Sequence, residues 1–387
     1  MLDGGMGAVG EGVDADEALG REPRLLSLDV FRGLTIAGMI LVNNPGSHAH
    51  VYWFLRHAQW NGCLPADLIF PFFLFIVGVS ISFAVAGPLE RGAPRRQLLA
   101  KVLRRTRILF GLGLLLNALP FFDWDVLRIP GVLQRIAVCY GLASVIVLYA
   151  GIRWQIAWGA VFLLVYWALM TLVPVPGYGA GVLLPEHNLA AYIDRTLMGE
   201  HLANHSWDPE GLLGTVPATA TTLAGVMAGH WLRRHQSHET RLEGLLLGGV
   251  AALVGGLAMA IWLPINKNLW TSSYALFCAG LASIALAGCY WIIDVRGYRG
   301  WAKPFAIYGT NPILAYWLSS AFAKLMALVT VAGPHDSRVT LRIAIYHEVF
   351  RRFAPPQMAS LLFALSYTML WLGVLTVLYR RQIFVKV

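Results

Sequence analysis

Charge is what this chain has least of. Only 13% of its 387 residues are charged, about half the fraction of an ordinary soluble domain. A water-facing surface cannot be assembled from so few charges, so a soluble globular domain is excluded. Acids are scarcer than bases, 21 against 30, which leaves a formal charge of +9. Such a balance often marks a nucleic-acid partner. Here the bases sit between apolar stretches, as cytoplasmic anchors do, and nucleic acid is excluded as well. Four cysteines make no disulfide framework. Cys139, Cys278 and Cys289 fall within apolar stretches and read as packing residues, whereas Cys63 lies in a polar loop and is the one to test for reactivity. Residues 1–24 are rich in Gly, Asp and Glu and lack a basic n-region. They read as a disordered cytoplasmic tail, not a cleavable signal peptide. No low-complexity tract, soluble domain or convincing internal repeat interrupts the rest, so residues 25–387 read as one transmembrane domain.

What the chain has in quantity is apolar sequence: 57% hydrophobic residues and a mean hydropathy of +0.60. A span needs roughly 20 mostly apolar residues. About ten stretches meet that length: 28–45, 66–87, 103–122, 130–150, 154–174, 211–232, 243–264, 270–293, 304–325 and 357–379. The fold class expected is an all-α, polytopic membrane helix bundle. With both termini cytoplasmic, the basic clusters Arg91–Arg107, Arg233–Arg241, Arg296–Lys303 and Arg380–Lys386 all fall inside, as the positive-inside rule requires. Residues 326–356 carry Arg338, Arg342, Arg351 and Arg352 on the outer side and read as an amphipathic surface helix.

The loop Arg56-His57-Ala58-Gln59-Trp60-Asn61-Gly62 joins the first two apolar stretches. It holds an imidazole, amides and an indole where filler would suffice. A histidine there can take up and return a proton near neutral pH. His57 is therefore the leading catalytic candidate, on the outer face, and the long outer loop 175–210 is placed to cover it. Polar groups within apolar stretches are costly and tend to face a polar interior. Asn43 and Asn44 close the first stretch, and Asp67 opens the second. Gln134 and Arg135, the Asp208-Pro209-Glu210-Gly211 turn, the Asn266-Lys267-Asn268 turn and the Asn311-Pro312 break complete the set. These read together as a polar pocket near the outer surface, with Trp60 and Asn61 beside it. Each also has a structural reading: Asp208 and Glu210 as a helix cap, Asn311-Pro312 as a kink, the Asn266 turn as an ordinary turn. Asp29 and Arg32, three apart, read as an ion pair on one helix face. His48, His50 and His335 read as solvated. His201 and His205 are four apart with no third ligand in view, so no metal is expected.

The segment SLDVFRGLTIAGMILVNNPG, followed by YWFLRHAQWNG and ADLIFPFFLFIVGVSIS, resembles the heparan-alpha-glucosaminide N-acetyltransferase family and its bacterial membrane relatives. The resemblance continues through RIPGVLQRIAV, WDPEGLLGTVPA, GVMAGHWL, LPINKNLWTSSYAL and YGTNPILAYWL, from about residue 24 to 320. It implies a multi-span acyltransferase that takes acetyl-CoA from the cytosol and delivers the acetyl group to an amino-sugar or glycan acceptor across the membrane. The family's active-site histidine matches His57, and its asparagine ending the first span matches Asn43. A longer intervening stretch here makes Asn44 a competitor. Only a short tail precedes Leu25, where the lysosomal enzyme carries a lumenal domain, so an acceptor smaller than a heparan-like polymer is expected. Arg104, Arg105, Arg233, Arg234 and Arg299 on the basic rim are candidates for the phosphates of CoA.

The expected chemistry is acyl transfer, with His57 as base or acetyl carrier. Asn43, Asn44, Asn266 or Asn268 would donate to the oxyanion. Asp67 would orient His57, and Lys267 would bind an anionic acceptor. The rival class is a sugar or amino-sugar transporter, for which the broken ninth stretch and buried charges speak. The lipid bilayer is the first partner, and a homodimer stays open. The Ala-, Gly- and Arg-rich composition suggests a bacterial inner membrane.

Overall fold

The computed structural model describes residues 25–234, 236–332 and 338–385. The tail expected at 1–24, His335 and Lys386 lie outside the described residues. The rest is mostly helical. The first helix, α1 (Leu26–Asn43), is followed by α2 (Pro65–Glu90), α3 (Arg95–Ala118), α4 (Val132–Tyr149) and α5 (Ile152–Leu172). A short α6 (Leu189–Met198) precedes α7 (Thr215–Leu232), α8 (His238–Met259) and α9 (Ser272–Val295). Then come α10 (Lys303–Thr310), α11 (Pro312–Leu328), the five-residue α12 (Leu341–Ile345) and α13 (Pro356–Arg380).

Among the described residues, 7 helices are long and apolar enough to cross a membrane: α1, α2, α4, α5, α8, α9 and α13. Three of the expected spans do not meet that test by themselves. The helix α3 carries Arg95, Arg96, Lys101, Arg104, Arg105 and Arg107 in its first half. The helix α7 is diluted by Thr215, Thr219, Thr221 and Thr222. The stretch 304–325 is divided at Asn311 into α10 and α11, because a proline cannot continue the hydrogen-bond ladder of the preceding turn. The expected surface helix over 326–356 is also corrected. Thr330–Ala332 (β1) and Arg338–Thr340 (β2) pair antiparallel, Val331 opposite Val339, and only then does α12 begin. The β-branched Thr-Val and Val-Thr pairs favour a pleated strand over a helix.

Apolar surface alone does not hold helices together in lipid, so close backbone approach matters. Gly78 of α2 and Gly225 of α7 make such an approach. A Cβ at Gly78 would lie 1.9 Å from Thr222 O, and one at Gly225 would lie 1.9 Å from Phe75 O. The α1–α10 crossing is built likewise: a Cβ at Gly33 would meet Phe305 O at 1.7 Å. Asp29 and Arg32 form the expected pair at 3.0 Å, and Arg32 also reaches Ser80 Oγ on α2 at 2.9 Å. The largest core cluster brings Ile36, Met39 and Ile40 of α1 together with Phe70, Phe73 and Leu74 of α2 and with Trp270, Tyr274 and Cys278. It lies directly beneath the two loops that form the candidate site.

Candidate active site

The site starts from the first turn of α2. Pro65 opens that turn, where a missing N–H costs nothing. Asp67 follows, an acid placed at a helix N-terminus where the peptide dipoles favour it. Its side chain is 0% exposed. Oδ2 accepts from the backbone N–H of Leu64 at 2.9 Å and of Ala58 at 3.0 Å. Those two bonds fold residues 58–64 back over the helix end. Oδ1 then faces His57 Nδ1 at 2.7 Å. The imidazole is 43% exposed, so one edge is held from inside and the other is open. A carboxylate at Nδ1 favours the Nδ1–H tautomer and leaves Nε2 as the basic atom.

A second loop, between α8 and α9, closes on the first. Asn266 is fully buried and organises this turn. Its backbone N–H donates to Thr271 Oγ1 at 3.1 Å, and its Oδ1 accepts from Leu269 N at 3.0 Å. Its Nδ2 donates across to Asn61 Oδ1 at 3.0 Å, and Gly62 N donates to Ile265 O at 2.7 Å. Trp270 adopts φ 50°, a left-handed conformation rare for a bulky residue. Its buried indole is locked edge-on against Phe70 at 5.0 Å and Tyr274 at 5.4 Å. Tyr274 in turn donates to the carbonyl of Asp67 at 2.6 Å.

This frame delivers Lys267 to His57, 210 residues away in sequence. Lys267 Nζ lies 2.8 Å from His57 Nδ1, 3.4 Å from Nε2 and 3.3 Å from Asp67 Oδ1. Nδ1 cannot donate to Asp67 and accept from Lys267 at the same time. The buried carboxylate is the stronger partner for both, so His57 and Lys267 share it and touch at its edge. One anion thus serves two potential cations. Burial pushes the Lys267 amine below the usual lysine range, and the charge of Asp67 opposes that fall.

Beside the trio stands an aromatic wall. Trp60 Nε1 donates to Leu183 O at 2.8 Å, and its ring meets Trp207 edge-on at 5.2 Å. Trp207 borders a small cavity lined also by Arg135, Asn188, Asp194, Asp208 and Asn268. Arg135 is buried. Its Nη2 donates to Gly211 O at 3.0 Å, its guanidinium lies 5.0 Å over the Trp270 ring, and among the described residues its Nε and Nη1 have no hydrogen-bond partner. Asp194 accepts from Leu212 N at 3.0 Å, and burial raises its carboxyl to about 6. The loop around this cavity is pinned by Arg128. Its Nε and Nη2 grip the two oxygens of Asp208 at 2.8 and 2.7 Å, and Nη2 also binds Glu210. Those two acids hold the Arg128 proton more tightly still than arginine's ordinary range.

His57, Asp67, Asn61, Asn266 and Lys267 are therefore one cluster, flanked by Trp60, with Arg135, Asp208 and Asn268 around the adjoining cavity. Asp208 and Glu210 spend their carboxylates on Arg128, so the cap reading is replaced by an ion-pair clamp. Gln134 turns the other way: its Oε1 packs against Gly113 and Gly131. Asn44 is also turned inward, its Nδ2 donating to Ile40 O at 2.8 Å. Asn43 is exposed at the end of α1, and among the described residues no hydrogen bond joins it to His57. Asn311 is at the far end of the bundle. Its amide binds Ile383 O and Val385 N at 3.0 and 2.8 Å, beyond the last turn of α13. The first turn of α13 instead touches the loop after α1, where Ser47 N meets Ser360 Oγ at 3.0 Å. A proline break near an outer pocket was expected; the break serves the opposite end. His201 Nδ1 meets Leu127 O at 2.8 Å while His205 faces Glu200 at 3.6 Å, so those two do not converge.

The basic candidates lie along α3 and at the ends of α2, α7 and α9 remote from His57. Arg233 binds Glu90 at 2.6 Å, Arg234 lies over Trp231, and Arg105 lies over Tyr140. Arg104 and Arg299 are exposed. Arg128, Trp207 and Tyr274 were not among the expected site residues, and Asp194 was expected only as part of the 175–210 loop covering His57. An arginine in the acidic segment 121–129 and an aspartate following the Asn188 helix cap are the signals that stood for Arg128 and Asp194.

Residues 24–265 match the family model described as heparan-alpha-glucosaminide N-acetyltransferase, catalytic. The human (Homo sapiens) heparan-alpha-glucosaminide N-acetyltransferase is 31% identical over 435 aligned positions, covering 94% of this chain and 60% of the relative. The mouse (Mus musculus) protein of the same name is 29% identical over 432, with the same coverage. By this match the chain, which spans 60% of the length of those curated relatives, belongs to the heparan-alpha-glucosaminide N-acetyltransferase catalytic family.

Proposed function

We propose that this protein is a transmembrane acetyltransferase. It takes acetyl from acetyl-CoA on the cytosolic side and gives it to the amine or hydroxyl of an amino sugar or glycan on the outer side. Residues 25–387 act as one unit of about ten spans, both ends of the chain inside, in a bacterial inner membrane. The observation that carries the reading is the His57–Asp67–Lys267 contact, made by two interlocked loops at one end of an apolar bundle.

The acceptor must lose a proton as it attacks the thioester, and His57 Nε2, facing the open edge, takes it. Asp67 holds the ring and stabilises the imidazolium that forms. The Lys267 ammonium supplies positive potential where the carbonyl oxygen gains charge, and the Asn266 amide, bonded to Asn61, holds the turn that carries it. Arg135, two of whose guanidinium nitrogens are buried without a hydrogen-bond partner among the described residues, and Asn268 line the adjoining cavity and would orient hydroxyls of the acceptor. If the acetyl group rests first on His57, Nε2 attacks the thioester as the nucleophile, the thiolate leaves, and Nε2 takes a proton only when the acetyl group departs to the acceptor. Arg104 and Arg299 are the exposed bases that fit CoA phosphates, with Arg105, Arg233 and Arg234 behind them. The relatives are named as transferases, which disfavours a transporter.

The test is release of free thiol from acetyl-CoA by the purified protein, with and without glucosamine, for wild type and His57→Ala. Acceptor-stimulated release that is lost in a folded variant supports the proposal. Equal release by a folded His57→Ala protein sinks it.

A further inference from the structure

Lys267 does more than sit near His57. Its Nζ stands 2.8 Å from one ring nitrogen and 3.4 Å from the other. The 3.4 Å contact is to Nε2, the basic atom, so this amine lies within reach of the group that would remove its proton or hand it an acyl group. It is held there by a rigid turn, with Asn266 fully buried and Trp270 wedged under the loop. What keeps it from reacting is its charge, because an ammonium paired with Asp67 at 3.3 Å is no nucleophile. Burial weakens that protection and leaves more free amine at a given pH than an ordinary lysine has.

We propose that Lys267 is an internal acetyl acceptor: when acetyl-CoA is bound and no external acceptor is present, its amine takes the acetyl group and the site shuts itself off. The inference rests on the acetyl-transfer reading of His57 given above. The C–S bond of the thioester breaks and an amide C–N bond forms on Nζ. The amine's proton passes to His57 and from there to the departing thiolate, which leaves as the CoA thiol. If the acetyl group rests first on His57, the same donor is consumed in two steps and the C–N bond to the imidazole is formed and then broken. The product is a neutral amide. Asp67 loses a cation, and the open edge of His57 meets an acetyl group where the acceptor would come. An external amine bound at that edge competes with Lys267 and protects it.

The purified full-length protein is incubated with acetyl-CoA at pH 7 and pH 9, with and without glucosamine, and digested. Acetylation of the Lys267 peptide is measured by mass. Lys101 and Lys303, both exposed, report background chemical acetylation in the same digest. Thiol release is followed in parallel. The expected result is one acetyl group on Lys267, several-fold above Lys101, greater at pH 9, suppressed by glucosamine, and rising as turnover falls. His57→Ala abolishes it. Turnover of glucosamine with Lys267 no more labelled than Lys101 at pH 9 overturns the inference and leaves the enzyme reading standing. Labelling undiminished in a folded His57→Ala protein also overturns it. Neither turnover nor label overturns both.

Discussion

Replacing Asp67 by Asn is the sharpest perturbation of this site. The carboxylate meets four groups: two backbone N–H donors, the His57 ring and the Lys267 ammonium. An amide keeps one oxygen, so Leu64 and Ala58 retain an acceptor and the loop stays closed. What is lost is charge. A hydrogen bond to an ionised group is worth about 1.5–3 kcal/mol, and about 1.4 kcal/mol is tenfold in rate. Loss of the His57 bond alone therefore lowers kcat/KM about 10- to 150-fold. The amide can also present its NH2 to Nδ1, which reverses the ring tautomer and deepens the loss. Lys267 is left without its anion, and its amine, already below the usual range through burial, falls further because Asp67 was the group opposing that fall. Acceptor-dependent thiol release across pH 6–9 measures both effects, with the melting temperature in detergent as the control for folding. A folded Asp67→Asn protein with more than half the wild-type kcat/KM and an unchanged pH profile would refute the reasoning.

Asp194 predicts a pH effect of known sign. Its carboxyl is raised by burial to about 6 from 3.8, so between those values the folded state holds a proton the unfolded chain has released. Stability then falls as pH rises through that window and stays lower above it, by up to about 3 kcal/mol. Asp194→Asn, which still accepts from Leu212 N, should melt higher than wild type above pH 6, with the gap closing by pH 4. A variant that melts lower at every pH contradicts this. Arg128→Met leaves Asp208, 0% exposed, without its cation and should cost about 3–5 kcal/mol. Pairing it with Asp208→Asn should recover much of the lost melting temperature, whereas additive losses would show that the clamp is not the reason Arg128 matters.

The parts of this fold that repeat a local pattern were legible. Seven of the ten expected stretches form helices long and apolar enough to cross a membrane among the described residues, and His57 stood out because it is polar where nothing polar is needed. The Asn266-Lys267-Asn268 turn stood out for the same reason. What was not legible is the meeting of Lys267 with His57, because periodicity carries no information about partners 210 residues apart. Asn311 misled for a related reason. A proline break has the same local signature at either end of a bundle, and only its bond to Ile383 assigns the end. Arg128 had only a weak signal, its place in an acidic segment, because a lone loop arginine is usually solvated and its clamp on Asp208 depends on chain reversal across 80 residues. The β1–β2 hairpin escaped notice because its strands are three residues each, too short for alternation to register.

The glycine contacts have a consequence for permeation. Where α2 meets α7, backbone touches backbone at Gly78 and Gly225, and where α1 meets α10, Gly33 does the same. Neither interface has room for even one added carbon atom. An acyl chain or a pantetheine arm threading from one face of the membrane to the other is therefore barred from both. The α3–α4 interface is of another kind. Among the described residues, Arg105 Nε, Thr106 Oγ1 and Gln134 Nε2 are buried there without partners, so that seam, unlike the two glycine crossings, holds polar atoms with unused hydrogen-bonding capacity.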